Sequence, residues 1–493
     1  ESRGLGDVYK RQPIYFLIYK MTLIKDIINQ NKRLAKISKV ISELSDETQI
    51  NAFLVGGCVR DLMLNPLAES IDVDIMVEGD GIDFAEKLAR KINVPKIVPF
   101  KKFATAKIPY NEYEIEVASA RLEKYDESSR SPSEVVMSNI EDDLLRRDFT
   151  INAMAVSLNK ENFGEFFDPF NGMEDLSKNI LRTPLDSDTT FSDDPLRMMR
   201  AAYFASKLSL AIDPSCLESI KNNAERITIV SQERKTNELL KILGTKKPSI
   251  GLNILQEAGL MEFVFPEIAV MYGLDQSNEY HHKDIFYHTL EVVDNAAQLS
   301  DKLDLRLAAL VHDIAKPKTR RLSKSKGYTF YGHDDVGARM LKGISSSMKF
   351  SNSTRDYIAK LTALHLRPIS LAKKDVTDSA IRRLIVDAGE EIDDLMKLCR
   401  ADITTKNPKN ITKYLGNFDR VEKRMNEVIE IDKLKAFQSP VRGDEIMKMF
   451  DLSPGKEVGK IKTMVEDAII NGEISNDYSS AMTFLDQIKQ QKK

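Results

Sequence analysis

Apolar residues recur at helical spacing from Leu23 through Ile27, Leu34, Ile37 and Ile41 to Leu44, which predicts a helix over 22–46. The pattern then changes. Apolar runs at 51–56 and 71–78 predict strands, 82–92 returns to helical spacing, and short strands are expected at 96–98, 104–108 and 113–118. ARLEKYDESSRSPSEVV (120–136) is polar and contains Pro132, so it reads as a mobile loop. From 141 a helix, a strand at 153–158 and an FDPFNG turn at 167–172 follow. Beyond about residue 190 strand signals nearly vanish. Helical spacing runs to the C-terminal end, broken at 244–249, 327–333 and 405–410. No internal repeat is visible. The pattern predicts a multidomain α+β protein: an α/β head with a small mixed sheet over 21–180, an all-α neck over 181–270, a second helical domain over 271–410 and a helical tail over 411–493.

A chain of 493 residues exceeds what one core serves, and the length prior is about three domains. With 30% charged residues and no low-complexity tract, the composition is globular. The net charge of −3 means that any nucleic-acid surface is a local patch. Cys58, Cys216 and Cys399 lie far apart without a CxxC pair, which argues against a disulfide framework and for a reducing compartment, the cytosol. Cys58 reads as a small buried residue. No run of 18 apolar residues predicts a membrane helix. Residues 1–20 are patternless except for PIYFLIYK and read as lying outside the fold, with Met21 as its start.

Asp72 and Asp74 carry the first chemical signal. Side chains two apart on a strand share a face, so the two carboxylates point together while Val73 and Ile75 enter a core. Just before them, NAFLVGGCVRD (51–61) reads as a strand, a Gly-Gly turn and a helix start. Gly56 and Gly57 let backbone N–H groups approach a phosphate closely. Paired carboxylates beside such a turn suit a divalent metal and phosphoryl or nucleotidyl transfer. Glu116, in YEIEVASAR, is a candidate third carboxylate or a solvated strand residue. In FSDDPLRMMRAAYFA (191–205), Asp194 can cap a helix with Pro195 at N1, and Arg197 and Arg200 lie one turn apart, within reach of Asp194.

GGCVRD with DVD, LLRRDFTINAMAV (144–156), FSDDPLRMMRAAYFA and SQERKTNEL (231–239) together resemble class II tRNA nucleotidyltransferases and bacterial poly(A) polymerases of the polymerase β superfamily. The resemblance covers most of residues 50–270. It implies that Asp72 and Asp74 are catalytic and hold Mg²⁺, and that Gly56, Gly57, Arg60, Arg147, Asp194, Arg197 and Arg200 contact nucleotide. Asp148 would pin its loop, and Glu233, Arg234 and Glu238 would brace the neck by ion pairs. It further implies that Asp194 and Arg197 form a protein template for the donor–acceptor edge that cytosine and adenine share, selecting CTP and ATP. Two positions depart from the family pattern. Asp193 stands where Glu is usual, and Tyr203 stands where many members carry Arg, which removes a charge expected near the nucleotide.

All six histidines fall between 281 and 365. His288, His312-Asp313, His333, His365 and Asp402 resemble the metal-dependent phosphohydrolase superfamily named for its His-Asp pair. The implied ligands are His288, His312, Asp313 and Asp402, with His333 and His365 available to substrate phosphate or a second metal. Mixed His and Asp ligands suit Mn²⁺, Ni²⁺, Co²⁺ or Fe²⁺. Residues 314–332 hold Lys316, Lys318, Arg320, Arg321, Lys324 and Lys326 without an acidic residue, as a solvated loop or an RNA-backbone contact.

The resemblance implies a CCA-adding tRNA nucleotidyltransferase, with tRNA, CTP and ATP as partners, no membrane, and an HD phosphohydrolase domain. A poly(A) polymerase, or an enzyme restricted to CC or A addition, stays open. So does a phosphohydrolase whose head only binds RNA.

Overall fold

The computed structural model describes residues 24–66, 72–111, 113–125, 132–275, 284–324, 327–372, 376–405, 407–432 and 439–491. The expectations for residues 1–20 lie outside them. The chain forms two compact units, one of residues up to 242 with 250–264, the other of 243–249 with 265–493.

In the first unit, the long helix expected over 22–46 is two helices, Ile24–Gln30 and Lys32–Thr48. They break at Asn31, whose side chain accepts from the Leu34 N–H at 3.2 Å and caps the second helix. Apolar spacing alone cannot register such a break, because both helices bury the same stripe.

The sheet comprises β1 (Ala52–Val55), β2 (Val73–Val77), β3 (Val98–Phe100), β4 (Thr105–Tyr110), β5 (Tyr113–Ser119) and two later strands, β8 (Ala155–Ser157) and β9 (Phe166–Phe167), in the order β3-β4-β5-β2-β1-β8-β9. It is mixed: β2 pairs parallel with β5, and the other ladders are antiparallel. Alternation along β2 sends Val73, Ile75 and Val77 into one core, where helices Lys32–Thr48 and Gly81–Lys91 pack. Met76, with Phe53 and Val55 of β1, enters a smaller core on the opposite face, closed by the helix Ile140–Leu145. Each such burial contributes roughly 1.5–3 kcal/mol. Asp74 shares the second face, which is how the strand period presents its carboxylate to that side of the sheet.

Within the segment expected as a loop at 120–136, the described residues pair as antiparallel strands, β6 (Arg121–Tyr125) with β7 (Pro132–Met137); residues 126–131 lie outside the described residues. Leu122, Val135, Val136 and Met137 are exposed. Apolar side chains exposed in this way give no alternation of the kind that marks a half-buried strand, so the sequence reads as loop.

Among its described residues the second unit is helical apart from one pair of short strands, Arg321–Ser323 with Gly327–Thr329, and an isolated bridge between Asp275 and Asp284. Helices Ile285–Leu299, Leu303–Val311, Asn352–Leu364 and Ile392–Ala401 pack around one another. A separate small core, from Val441 to Ile488, joins the last three helices. Among the described residues no helix is long and apolar enough to cross a membrane.

Candidate active sites

The glycine turn opens the site in the first unit. Gly56 has φ of +69°, in the left-handed region that favours glycine, and donates its N–H to Met154 O at 3.1 Å. A Cβ at this position would stand 2.6 Å from an Arg147 guanidinium nitrogen. The turn therefore brings Arg147 against the N-terminus of the helix Gly57–Leu64. On that helix, burial pushes the Cys58 thiol up, and the charge of nearby Asp74 adds to the effect.

Asp74 lies on β2, and the exposed Asp72 immediately precedes the strand. Glu116 is the residue in register with Asp74 on the parallel neighbour β5. Burial and the charge of Glu116 raise the Asp74 carboxyl to about 6, against the pull of Arg147, and Asp72 adds to the rise. Negative charge is thus locally in excess, and the donors are all carboxylate oxygens. Both features fit a hard divalent cation such as Mg²⁺. Glu116 itself faces Lys107 at 4.0 Å, and among the described residues the three carboxylates do not converge to within 4.8 Å of one another.

A buried polar network joins the remaining motifs. Arg60 is buried, donates to Asn152 Oδ1, pairs with Asp61 at 2.7 Å and stacks over Phe204 at 5.1 Å. Asn152 donates to Asp148 Oδ1 at 3.0 Å, and Asp148 also accepts from the Phe149 N–H at 2.8 Å and from Arg200 Nε at 2.7 Å. Burial alone would raise the Asp148 carboxyl, but Arg200 and Asn152 outweigh it and hold it below the usual range. Asp143 is similarly held low: burial is overcome by Arg147, paired at 2.8 Å, and by Arg146. Asn152 was not singled out from the sequence. Its signal is one polar residue inside the apolar TINAMAV segment, four positions after Asp148.

The helix Leu196–Leu208 completes the group. Asp194 Oδ1 accepts from the Leu196 N–H at 3.2 Å, and Arg197, buried, donates to Arg146 O at 2.7 Å. The ion pair of Arg200 is with Asp148, at 2.6 Å. Phe204 lies between Arg60 and Arg200, with Arg200 5.3 Å from its ring. Near Tyr203, where the family pattern has Arg, the Lys207 ammonium sits 5.9 Å over the ring. In the neck, Glu238 pairs with Lys241 at 2.7 Å, and buried Lys235 donates to Phe263 O at 2.8 Å.

In the second unit the structure brings all six candidate ligands together and divides them into two sets: His288, His312 and Asp402, and Asp313, His333 and His365. They sit at helix ends and on one helix interior, all buried except the partly exposed Asp402. Asp313 lies between the sets. Its Oδ2 faces His312 Nε2 at 3.1 Å and His288 Nε2 at 3.5 Å, and its Oδ1 faces His333 Nε2 at 3.2 Å. His288 Nε2 also meets Asp402 Oδ1 at 3.0 Å. The far ring nitrogens are tied down. Nδ1 of His312, His333 and His365 meets the carbonyl three residues earlier at 2.8, 2.7 and 2.6 Å, and His288 Nδ1 meets Thr404 Oγ1 at 3.1 Å. With Nδ1 engaged outward, each ring turns Nε2 toward the cluster, the atom that would bind a metal ion. Burial pushes His365 down to about 4, with the charge of His312 adding, which keeps that ring neutral. Burial would raise Asp313, but the charges of His312 and Lys316 outweigh it and hold it well below the usual range. His312 Nε2 and Asp313 Oδ2 are buried without a hydrogen bond of proper geometry. The donor set fits transition-metal ions.

Lys316 corrects the expectation of an exposed basic run. It is buried, and its ammonium pairs with Asp313 at 2.6 Å.

Three family models match the chain: the poly A polymerase head domain over residues 52–182, a probable RNA-binding region of polymerase A over 209–271, and the HD domain over 285–405. An A-adding tRNA nucleotidyltransferase of Deinococcus radiodurans is 30% identical over 345 residues, spanning 68% of this chain and 76% of the relative. The chain belongs to the tRNA nucleotidyltransferase and poly(A) polymerase family. It is a nucleotidyltransferase with an added HD domain, and both are folds that use divalent metals. A tRNA nucleotidyltransferase solved with a primer tRNA and an incoming ATP analog is similar to this family member with a TM-score of 0.56 and 25% identity, over 78% of this chain and 98% of that one. A Bacillus stearothermophilus CCA-adding enzyme solved with CTP shares the fold, with a TM-score of 0.61 and 22% identity over 93% and 98% of the two chains.

Proposed function

We propose that the first unit adds C, C and A to tRNA 3′ ends from CTP and ATP without a nucleic-acid template. The observation that carries this is the single buried network Arg60–Asn152–Asp148–Arg200, which ties the glycine turn to the helix of Asp194 and Arg197. Gly56 and Gly57 would offer backbone N–H groups to the triphosphate, and Arg147, lying against Gly56, would neutralise it. Mg²⁺ held by Asp72 and Asp74 would supply charge neutralisation of the triphosphate and activation of the RNA 3′-hydroxyl. Asp194 would accept from the exocyclic amino group that cytosine and adenine share, and Arg197 would donate to the ring atom beside it. The contact of Arg197 with Arg146 O fixes that side chain, so the edge it reads does not drift.

Removing the reader tests this reading. In Asp194→Ala, incorporation of CTP and ATP is expected to lose about 10- to 100-fold of its preference over UTP and GTP, since a paired hydrogen-bond readout is worth roughly 1–3 kcal/mol. Unchanged selectivity in a folded variant contradicts the template role. Addition of the terminal A alone is a second reading, favoured by the name of the Deinococcus relative.

For the second unit we propose a metal-dependent phosphohydrolase site. His288, His312 and Asp402 would hold one ion and Asp313, His333 and His365 a second, of Mn²⁺, Ni²⁺, Co²⁺ or Fe²⁺. Such ions would supply an activated water and polarise the phosphate. Lys316 would keep Asp313 ionised and oriented. Three buried free thiols suit a reducing cytoplasm.

A further inference from the structure

Between Asp313 and His333, two members of one candidate ligand set, the described residues include several at the surface. Asp313 and Lys316 stand at the start of this stretch and His333 at its end, and between them lies the hairpin Arg321–Ser323 with Gly327–Thr329. Lys318, Arg321 and Lys324 are exposed, and no acidic residue interrupts the chain from 314 until Asp334. Large apolar groups stand exposed among these cations, Leu322 at 75% and Tyr331 at 76%. An aromatic ring so exposed, two residues from a buried cluster histidine, adds nothing to a core. Arg320 is stacked on the Tyr328 ring at 3.6 Å and bonded to Asp275 O at 2.9 Å, which stiffens the base of the hairpin.

We propose that Lys318, Arg321, Lys324 and Tyr331 form a platform for single-stranded RNA that brings its terminal phosphate to the six-residue cluster. The inference rests on the phosphohydrolase reading of that cluster and names its substrate class. Cations without neighbouring carboxylates match a phosphate backbone, and an exposed aromatic ring offers a stacking face to any unpaired base. A duplex leaves no base free to stack, so the chemistry selects a single strand. At the cluster, water would attack phosphorus. The new P–O bond forms as the ester P–O bond to ribose breaks, and the ribose oxygen leaves with a proton.

The test compares the full chain with its Lys318→Glu/Arg321→Glu/Tyr331→Ala variant, both loaded with Mn²⁺. The substrates are an RNA dodecamer carrying a 3′-phosphate and p-nitrophenyl phosphate. The variant is expected to lose at least about tenfold in kcat/KM on the RNA, with p-nitrophenyl phosphate hydrolysis unchanged. Its binding of the same dodecamer should have a log–log salt slope shallower by about 1.5. Unchanged RNA hydrolysis and binding in the variant overturn the platform. If the parent protein hydrolyses neither substrate, the phosphohydrolase reading falls. The platform is then judged by binding alone, and equal affinity and salt slope in the two proteins overturn it.

Discussion

Asp74→Ala is expected to lower nucleotide incorporation by about 10³-fold or more while leaving the protein folded. On the proposed role, the rate loss would follow from removing one of two carboxylates assigned to hold the charge-neutralising ion, an effect worth several kcal/mol in the transition state. Survival of the fold follows from the electrostatics. Burial and Glu116 raise this carboxyl to about 6 from an ordinary value of 3.8. A folded carboxyl raised in this way loses stability as pH rises from about 4 to about 6, and the penalty stays in place above that. Asp74→Asn should therefore melt no lower than the parent at pH 7 in EDTA. Calorimetry paired with single-turnover incorporation checks both halves. Activity within tenfold of the parent, or a collapsed fold, contradicts the assignment.

Asp313→Asn is expected to remove bound metal from the second unit and abolish phosphate-ester hydrolysis there, with nucleotide incorporation retained. Asp313 stands between both ligand sets, so its loss affects each of them. It also breaks the buried pair of Asp313 with the Lys316 ammonium, 2.6 Å apart, a loss of about 3–5 kcal/mol. The double change Asp313→Asn/Lys316→Met removes both halves of that pair. It should recover most of the lost thermal stability and none of the metal. Elemental analysis, melting temperature and the two activities separate the cases. Metal content equal to that of the parent in either variant would rule out Asp313 as a ligand.

Local chemistry was readable from the chain. The two-residue alternation of β2 placed Val73 and Ile75 in a core and Asp74 on the other face, because Val73, Ile75 and Val77 form an unbroken apolar set at every second position. Asp148 was expected to pin its loop, and it does so through the Phe149 N–H and Asn152. The contacts that were not readable join distant residues. Arg60 and Asn152 meet across 92 positions, and nothing local in GGCVRD indicates that its arginine turns inward. The six candidate residues could be collected by residue type, but their division into two sets depends on which helix ends meet. Lys316 looked like one cation of an exposed run because its partner, three residues earlier, was assigned only to metal. The β6–β7 pairing was hidden because Leu122, Val135, Val136 and Met137 are exposed and mark no buried face.

The central claim is best tested by supplying tRNA transcripts that lack CCA, CA or A with Mg²⁺ and either CTP, ATP or both. Addition that needs both nucleotides on the shortest transcript and stops after CCA is the predicted result. Incorporation of A only onto the transcript ending in CC would assign a terminal A-adding enzyme, and long A tracts or no incorporation at all would contradict the account.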